Sequence, residues 1–209
     1  MHVARSFAVE RLGVGDWPSL DGLDDSPIRV VDWLDLIDAE SEATSPFVLA
    51  VDMSPDRTTT IVDASRRPDG LYHVEIAYQD RGAKWLPTRL AEMVEKNPPY
   101  EVVCCAQGPI ASQIDRIEAA GVTLRTFNGQ EHAQACGQMV DLVNERQVRH
   151  RGSVEFQQAL RGARPRPLGD AWAWSRKNST VDISPLVAAT LALSAAQQLP
   201  EDDTLRIYF

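Results

Sequence analysis

The sequence predicts an α/β fold, a mixed five-stranded sheet of three antiparallel strands followed by two parallel ones, flanked by helices. Between Phe47 and Tyr78, three segments rich in apolar and β-branched residues are joined by short turns, the pattern of an antiparallel meander. From Leu86 to Phe127 two more short apolar strands alternate with helical stretches long enough to serve as crossovers, which goes with parallel pairing.

The elements follow in order. Phe47-Val-Leu-Ala-Val is a continuous apolar run that ends in Asp52. A Ser-Pro-Asp turn leads to a second strand near Thr58 to Ala64, and Arg67-Pro-Asp-Gly turns the chain into a third from Leu71 to Tyr78. Leu86 to Lys96 reads as a helix because Asn97-Pro98-Pro99 stops it, and Tyr100 to Cys105 is a short buried strand. Pro109 to Ala120 places Ile110, Ile114 and Ile117 on one helical stripe, and Gly121 ends it. Val122 to Phe127 is the fifth strand. A long helix from about Glu131 to Asn144, a helical segment from Val154 to Arg161 and a last helix from about Ser184 to Gln198 complete the chain. This is the order of elements in a ribonuclease-H fold, although several α/β folds share a similar string.

The domain is expected over residues 47–200, with residues 1–46 as an acidic linker or packing arm holding one helical candidate around Ile28 to Glu42, and residues 201–209 as a tail. At 209 residues and 44% hydrophobic content, one principal core is the default. No run of about 18 apolar residues is present, so no membrane span and a soluble, cytosolic protein are expected. The three cysteines lack C-x-x-C spacing and read as reduced core thiols.

A net charge of -9 argues against a protein that simply coats nucleic acid. The charge is unevenly spread: Met1 to Asp63 holds 13 acids against 4 Lys or Arg, whereas Glu145 to Lys177 holds 8 basic residues against 3 acids. A surface facing a polyanion would therefore lie late in the chain. Arg149, Arg151, Arg161, Arg164, Arg166, Arg176 and Lys177 fall in a Gly- and Pro-broken stretch where loops could carry them to backbone phosphates. Ordinary solvated faces are the alternative.

Two acids stand where chemistry could be done. Asp52 ends a buried strand, a rigid place from which to present a metal ligand, although such an aspartate caps turns as readily. Asp182 precedes Ser184 and Pro185, a helix start whose positive end favours an ionised carboxylate. In a ribonuclease-H arrangement the first strand and last helix are neighbours, so the two acids would converge. Converging carboxylates repel unless cations lie between them. Two divalent ions about 3.5 to 4 Å apart would relieve that repulsion, activate a water and stabilise the departing oxygen of a phosphodiester.

The stretch from Phe47 through Val-Asp-Met-Ser-Pro-Asp, the segment Arg161 to Arg176 and the closing Asp182-Ile-Ser-Pro-Leu-Val-Ala-Ala resemble the large terminase subunits of tailed phages, particularly the actinobacteriophage type. The resemblance implies a metal-dependent endonuclease that cuts double-stranded DNA during packaging in the host cytoplasm, with Mg2+ or Mn2+ at Asp52 and Asp182 and with a small terminase subunit and a portal ring as partners. It places His150 at a DNA-proximal or structural position.

The sequence departs from that pattern twice. No G-x-x-x-x-G-K-[ST] occurs, so the ATPase motor of a terminase is missing from these residues. The family usually carries another acid near Cys105, where this chain has no carboxylate between Glu101 and Asp115. Glu75 is the first choice to replace it as a metal ligand, ahead of Asp63 and Asp170. The alternative expectation is a catalytically weakened nuclease fold serving as a DNA-binding or motor-docking module.

Overall fold

A computed structural model describes residues 26–200. The expected helix candidate at 28–42 is reduced to a single short helix, α1 (Val30–Leu34). The strands β1 (Phe47–Met53), β2 (Thr58–Arg66) and β3 (Tyr72–Arg81) form the antiparallel meander. Helix α2 (Leu86–Lys96) crosses over to β4 (Glu101–Cys105), and a 3-10 turn (Pro109–Gln113) running into α3 (Ile114–Ala119) leads to β5 (Leu124–Phe127). Both of these strands run parallel, β4 to β1 and β5 to β4. The chain then adds α4 (Gly129–Asn144), β6 (Val148–Arg149), α5 (Val154–Gly162), β7 (Pro165–Leu168), β8 (Ala171–Trp174) and α6 (Ser184–Ala196).

The main sheet has six strands, in the order β5-β4-β1-β2-β3-β6. The sixth is the two-residue β6, parallel to the start of β3, too short to be seen as a periodic pattern. The Pro-rich basic stretch, expected as loop, is a two-stranded antiparallel hairpin of β7 and β8 with Leu168 opposite Ala171. Proline is compatible with such a strand because the hairpin has only one partner for each edge.

Every residue of α6 is buried. A helix apolar on all sides belongs inside a protein, and α6 lies between β1, β2 and β3 on one side and α4 and α5 on the other. Its five alanines let these layers approach closely. Side chains alternate across a strand, so Asp52 on β1 and its register partner Thr60 on β2 share one face, and Thr60 Oγ1 meets Ser184 Oγ of α6 at 3.0 Å. The Leu49, Asp63 and Ala77 side chains line a hollow with Met93 and Lys96 of α2, which covers the opposite face.

The segment ahead of β1 packs against the domain through Ile28, Trp33 and Leu36, all buried. Residues 1–25 and the expected tail at 201–209 lie outside the described residues.

Candidate functional site

Four elements meet at one end of the sheet: the C-terminal ends of β1 and β4, the loop after β8 and the start of α6. Asp52 is completely buried there. Its carboxylate accepts two hydrogen bonds from Arg176, from Nη2 to Oδ1 at 2.5 Å and from Nε to Oδ2 at 3.1 Å. The same Nη2 also reaches β4, 3.8 Å from Cys105 Sγ. Gly108, at a φ of 92°, carries the loop after β4 under Arg176, and a Cβ there would stand 3.3 Å from Nη1. The missing side chain at 108 leaves room for the guanidinium to pass close to the backbone there.

Asp182 is placed by two neighbours. Its Oδ1 accepts the Ser184 N–H at 2.7 Å, which starts α6. Gly162, at the end of α5, clears the path of the segment before it: a Cβ at 162 would collide with Val181 Cγ2, and Thr180 N–H donates to Gly162 O at 3.1 Å. A polar chain ties the helix start to the sheet, since Gln79 Nε2 donates to Thr60 Oγ1 at 2.9 Å and Thr60 meets Ser184.

The structure thus brings Asp52 and Asp182 to the same corner, where the Asp182 charge adds to the forces on Asp52. Burial pushes the Asp52 pKa up, and the charge and hydrogen bonds of Arg176 oppose that rise. Burial disfavours the Arg176 cation, but the Asp52 carboxylate outweighs it and its pKa is raised further, so the guanidinium stays charged. Burial also raises Asp182, against the Ser184 hydrogen bonds. The turn after Asp52 is organised by Ser54 instead: its hydroxyl donates to Asp56 and accepts the Thr58 N–H at 2.9 Å.

Glu75 does not reach this corner. It pairs with Asp63, which pairs with Leu49, three positions from Asp52 and therefore on the other face of the sheet, about 10 Å down the strand. Its carboxylate accepts the Arg151 N–H at 3.0 Å. The residue of β3 in register with Thr60 is Gln79, a neutral amide. Asp63 lies on the face of Glu75 and contacts His73 Nε2 at 3.4 Å, and Asp170 is exposed at the β7–β8 turn.

His150 lies at the β6 edge of the sheet, away from the acid corner. It is completely buried, stacks on Trp33 at 4.2 Å between ring centroids, lies 2.9 Å from Trp33 O through Nε2 and accepts the Gly152 N–H through Nδ1 at 3.0 Å. With Nδ1 accepting, Nε2 carries the proton and donates. Burial lowers its pKa. Arg149 and Arg151 share its location. Arg149 is in register with His73, Ser65 and Phe47, five positions from Asp52, or about 17 Å along the strand.

The remaining basic residues flank the acid corner. Arg161 lines a groove of about 390 Å³ with Asp182, Gln79 and Thr58. Arg166 and Arg176 line a separate cavity of about 150 Å³ beside Cys105. Arg164 is held at the base of the hairpin, its N–H on Ser179 Oγ at 3.0 Å, and Lys177 is exposed next to Arg176. Sequence reasoning assigned Arg176 to DNA and missed its carboxylate partner, because the pairing spans 124 residues. It also passed over Thr60, Gln79 and His132.

A hard divalent cation takes oxygen ligands, several of them negatively charged. Both Asp52 oxygens are engaged by Arg176, one Asp182 oxygen is engaged by the Ser184 N–H, and the position on β4 is Cys105, whose thiol is pushed up to about 11 by burial. Among the described residues no three or more His, Cys, Asp or Glu side chains gather so as to hold a metal ion. As folded, this donor set does not fit a pair of magnesium or manganese ions.

The meander, the two parallel strands and the buried closing helix define a ribonuclease-H-like fold. Within that class the chain has the fold of the nuclease domain of phage large terminases. The HK97 bacteriophage large terminase is similar over 82% of this chain and 43% of its own length, with a TM-score of 0.69 at 15% identity. The large terminase nuclease from thermophilic phage G20c matches over 81% of this chain and 98% of its own, at a TM-score of 0.59 and 14% identity. The nuclease domain of Thermus phage P74-26 large terminase covers 78% of this chain and 92% of its own, at 0.54 and 15%. The G20c nuclease has been solved with bound magnesium, cobalt and zinc. This chain therefore spans less than half of the HK97 protein and nearly all of the G20c nuclease. No family model and no curated protein matches the sequence. Among the described residues no helix is long and apolar enough to cross a membrane.

Proposed function

We propose that this chain is the nuclease-fold domain of a phage DNA-packaging terminase, and that it grips double-stranded DNA through backbone phosphates with strongly attenuated cleavage. The observation that carries this reading is the Asp52–Arg176 pair. A fixed monovalent cation neutralises the one acid that a two-ion mechanism needs most, and the thiol of Cys105 stands where the family places another acid. Arg161, Arg166, Arg176 and Lys177 remain around the corner to meet phosphates. An ATPase motor, a small terminase subunit and a portal ring would be its partners in a packaging complex.

The convergence of Asp52 and Asp182 favours a second reading, a Mg2+- or Mn2+-dependent endonuclease acting through two ions at those acids. The two readings separate in one experiment. The purified chain is incubated with supercoiled plasmid and Mg2+ or Mn2+, and duplex binding is measured in parallel at several salt concentrations. The first reading predicts salt-sensitive binding with little nicking, and a gain of metal-dependent nicking in Cys105→Asp. Rapid linearisation by the unaltered chain, abolished by Asp52→Ala and Asp182→Ala, establishes the second.

A further inference from the structure

Beside the acid corner, separated from Asp52 by the Arg176 side chain, the end of β4, the start of α4 and the hairpin enclose a cavity of about 150 Å³, on the order of five water volumes. Arg166 and Arg176 both line it, and none of its lining residues is acidic. Among the described residues the Arg166 side chain has no hydrogen-bond or ion-pair partner, so no carboxylate of the protein offsets its charge. Asp52 offsets the Arg176 charge, which leaves one guanidinium in the half-enclosed hollow without a counter-charge, an arrangement that an anion entering beside both arginines would relieve.

Helix α4 supplies the third part. It is 16 residues long, and Gly129, its first residue, lines the cavity. Asn128 caps the N–H groups of Gln130 and Glu131, and the Glu131 carboxylate folds back onto the Asn128 N–H, outside the cavity. A helix start alone would indicate nothing more than a capped turn. One turn in, however, lies His132, 4% exposed, also lining the cavity, with a buried Nε2 that has no hydrogen-bond partner. Buried polar atoms are rarely left so, because the lost hydrogen bond is costly.

We infer that this cavity is a phosphate site, in which Arg166 and Arg176 supply the charge, the first turn of α4 supplies oriented dipoles and His132 Nε2 supplies a hydrogen bond. Burial, with the charges of Arg176 and Arg166 acting in the same direction, lowers the His132 pKa to about 4, so at neutral pH the ring is uncharged and its Nε2–H tautomer can donate into the cavity. Planar guanidiniums match phosphate oxygens in pairs. Arg176 is shared: its Nε and Nη2 hold Asp52 while Nη1 lies against Gly108, itself a lining residue. A phosphate in the cavity and the Asp52 carboxylate therefore draw on one cation, which couples the pocket to the acid corner.

The source of the phosphate is either the DNA backbone, as the proposed function requires, or a free phosphate-bearing molecule. The test titrates inorganic phosphate into the full chain, followed by phosphorus NMR and by the His132 ring resonances. Saturable binding is expected, with a shift of the His132 signals, at least tenfold weaker in Arg166→Ala and severalfold weaker in His132→Leu, both variants checked by circular dichroism. Non-saturable binding, or equal binding by the wild type and both variants, overturns the site. Competition by a short duplex identifies the DNA backbone as the source, and absence of competition identifies a free phosphate. Loss of duplex binding with phosphate binding retained would remove the proposed function and leave the pocket; the reverse would remove the pocket alone.

Discussion

The two ends of the central sheet treat buried titratable groups differently. At the β6 end, His150 is stacked on Trp33 and both ring nitrogens are used, one on Trp33 O and one by the Gly152 N–H. At the β1–β4 end, Asp52 is just as buried, but it is held by a charge from a distant loop, a second acid is close by, and His132 has an unpartnered nitrogen. The first arrangement is neutral and satisfied, which is what a structural histidine needs. The second concentrates charge inside the protein at a cost in stability. A fold retains such a cost where the groups are needed for something other than folding.

The largest effects that sharpen this contrast are on stability. Trp33→Ala is expected to cost about 3–5 kcal/mol in denaturant unfolding by removing the ring on which His150 stacks, and to leave duplex affinity unchanged. Asp52→Ala is expected to cost a comparable amount, about 3–5 kcal/mol, because it strands the Arg176 charge in a buried site. The double variant Asp52→Asn with Arg176→Gln is expected to be more stable than Asp52→Ala, since no unpaired charge remains. Additive losses in the double variant would show that the pair is not coupled.

A smaller effect concerns pH. The folded-state pKa of His132 is lowered to about 4 from an unfolded value near 6.5. Its contribution is therefore fully present above pH 6.5 and is lost as pH falls toward 4, by roughly 3 kcal/mol in all. His150, also lowered by burial, acts in the same direction. In phosphate-free buffer, stability should fall across this window, and His132→Leu should flatten part of the slope. An unchanged slope in that variant would mean that His132 is not buried as described.

The smallest effect separates the basic residues. Arg166→Ala is expected to weaken duplex binding and to reduce the dependence on the logarithm of salt by about one unit. Arg149→Ala and Arg151→Ala, at the remote end, should stay within about twofold of wild type. A loss at Arg149 equal to that at Arg166 would place the DNA on a different face.

Much of this was legible in the sequence where local rules dominate. The β1 run is uninterrupted and apolar, and α2 ends where two prolines forbid continuation, so their limits could be read directly. Asp52 and Asp182 stood out because one ends a buried strand and the other starts a helix. What could not be read depends on register and on distant pairing. Glu75, the first choice for a further metal ligand, lies on the other face because β2 and β3 carry a register shift between Ile61 and Val62 that no composition signals. The basic stretch around Pro165 looked like loop because its prolines hide a hairpin whose partner strand carries the Trp172–Trp174 alternation. The Arg176 pairing with Asp52 needed the whole fold.

Whether Arg176 or a pair of metal ions neutralises Asp52 is decided by a crystal of the protein soaked in Mn2+ and measured at the manganese absorption edge. No anomalous peak is expected between Asp52 and Asp182, with the Arg176 guanidinium still bidentate on Asp52. Two strong peaks there, with Arg176 swung away, would contradict it.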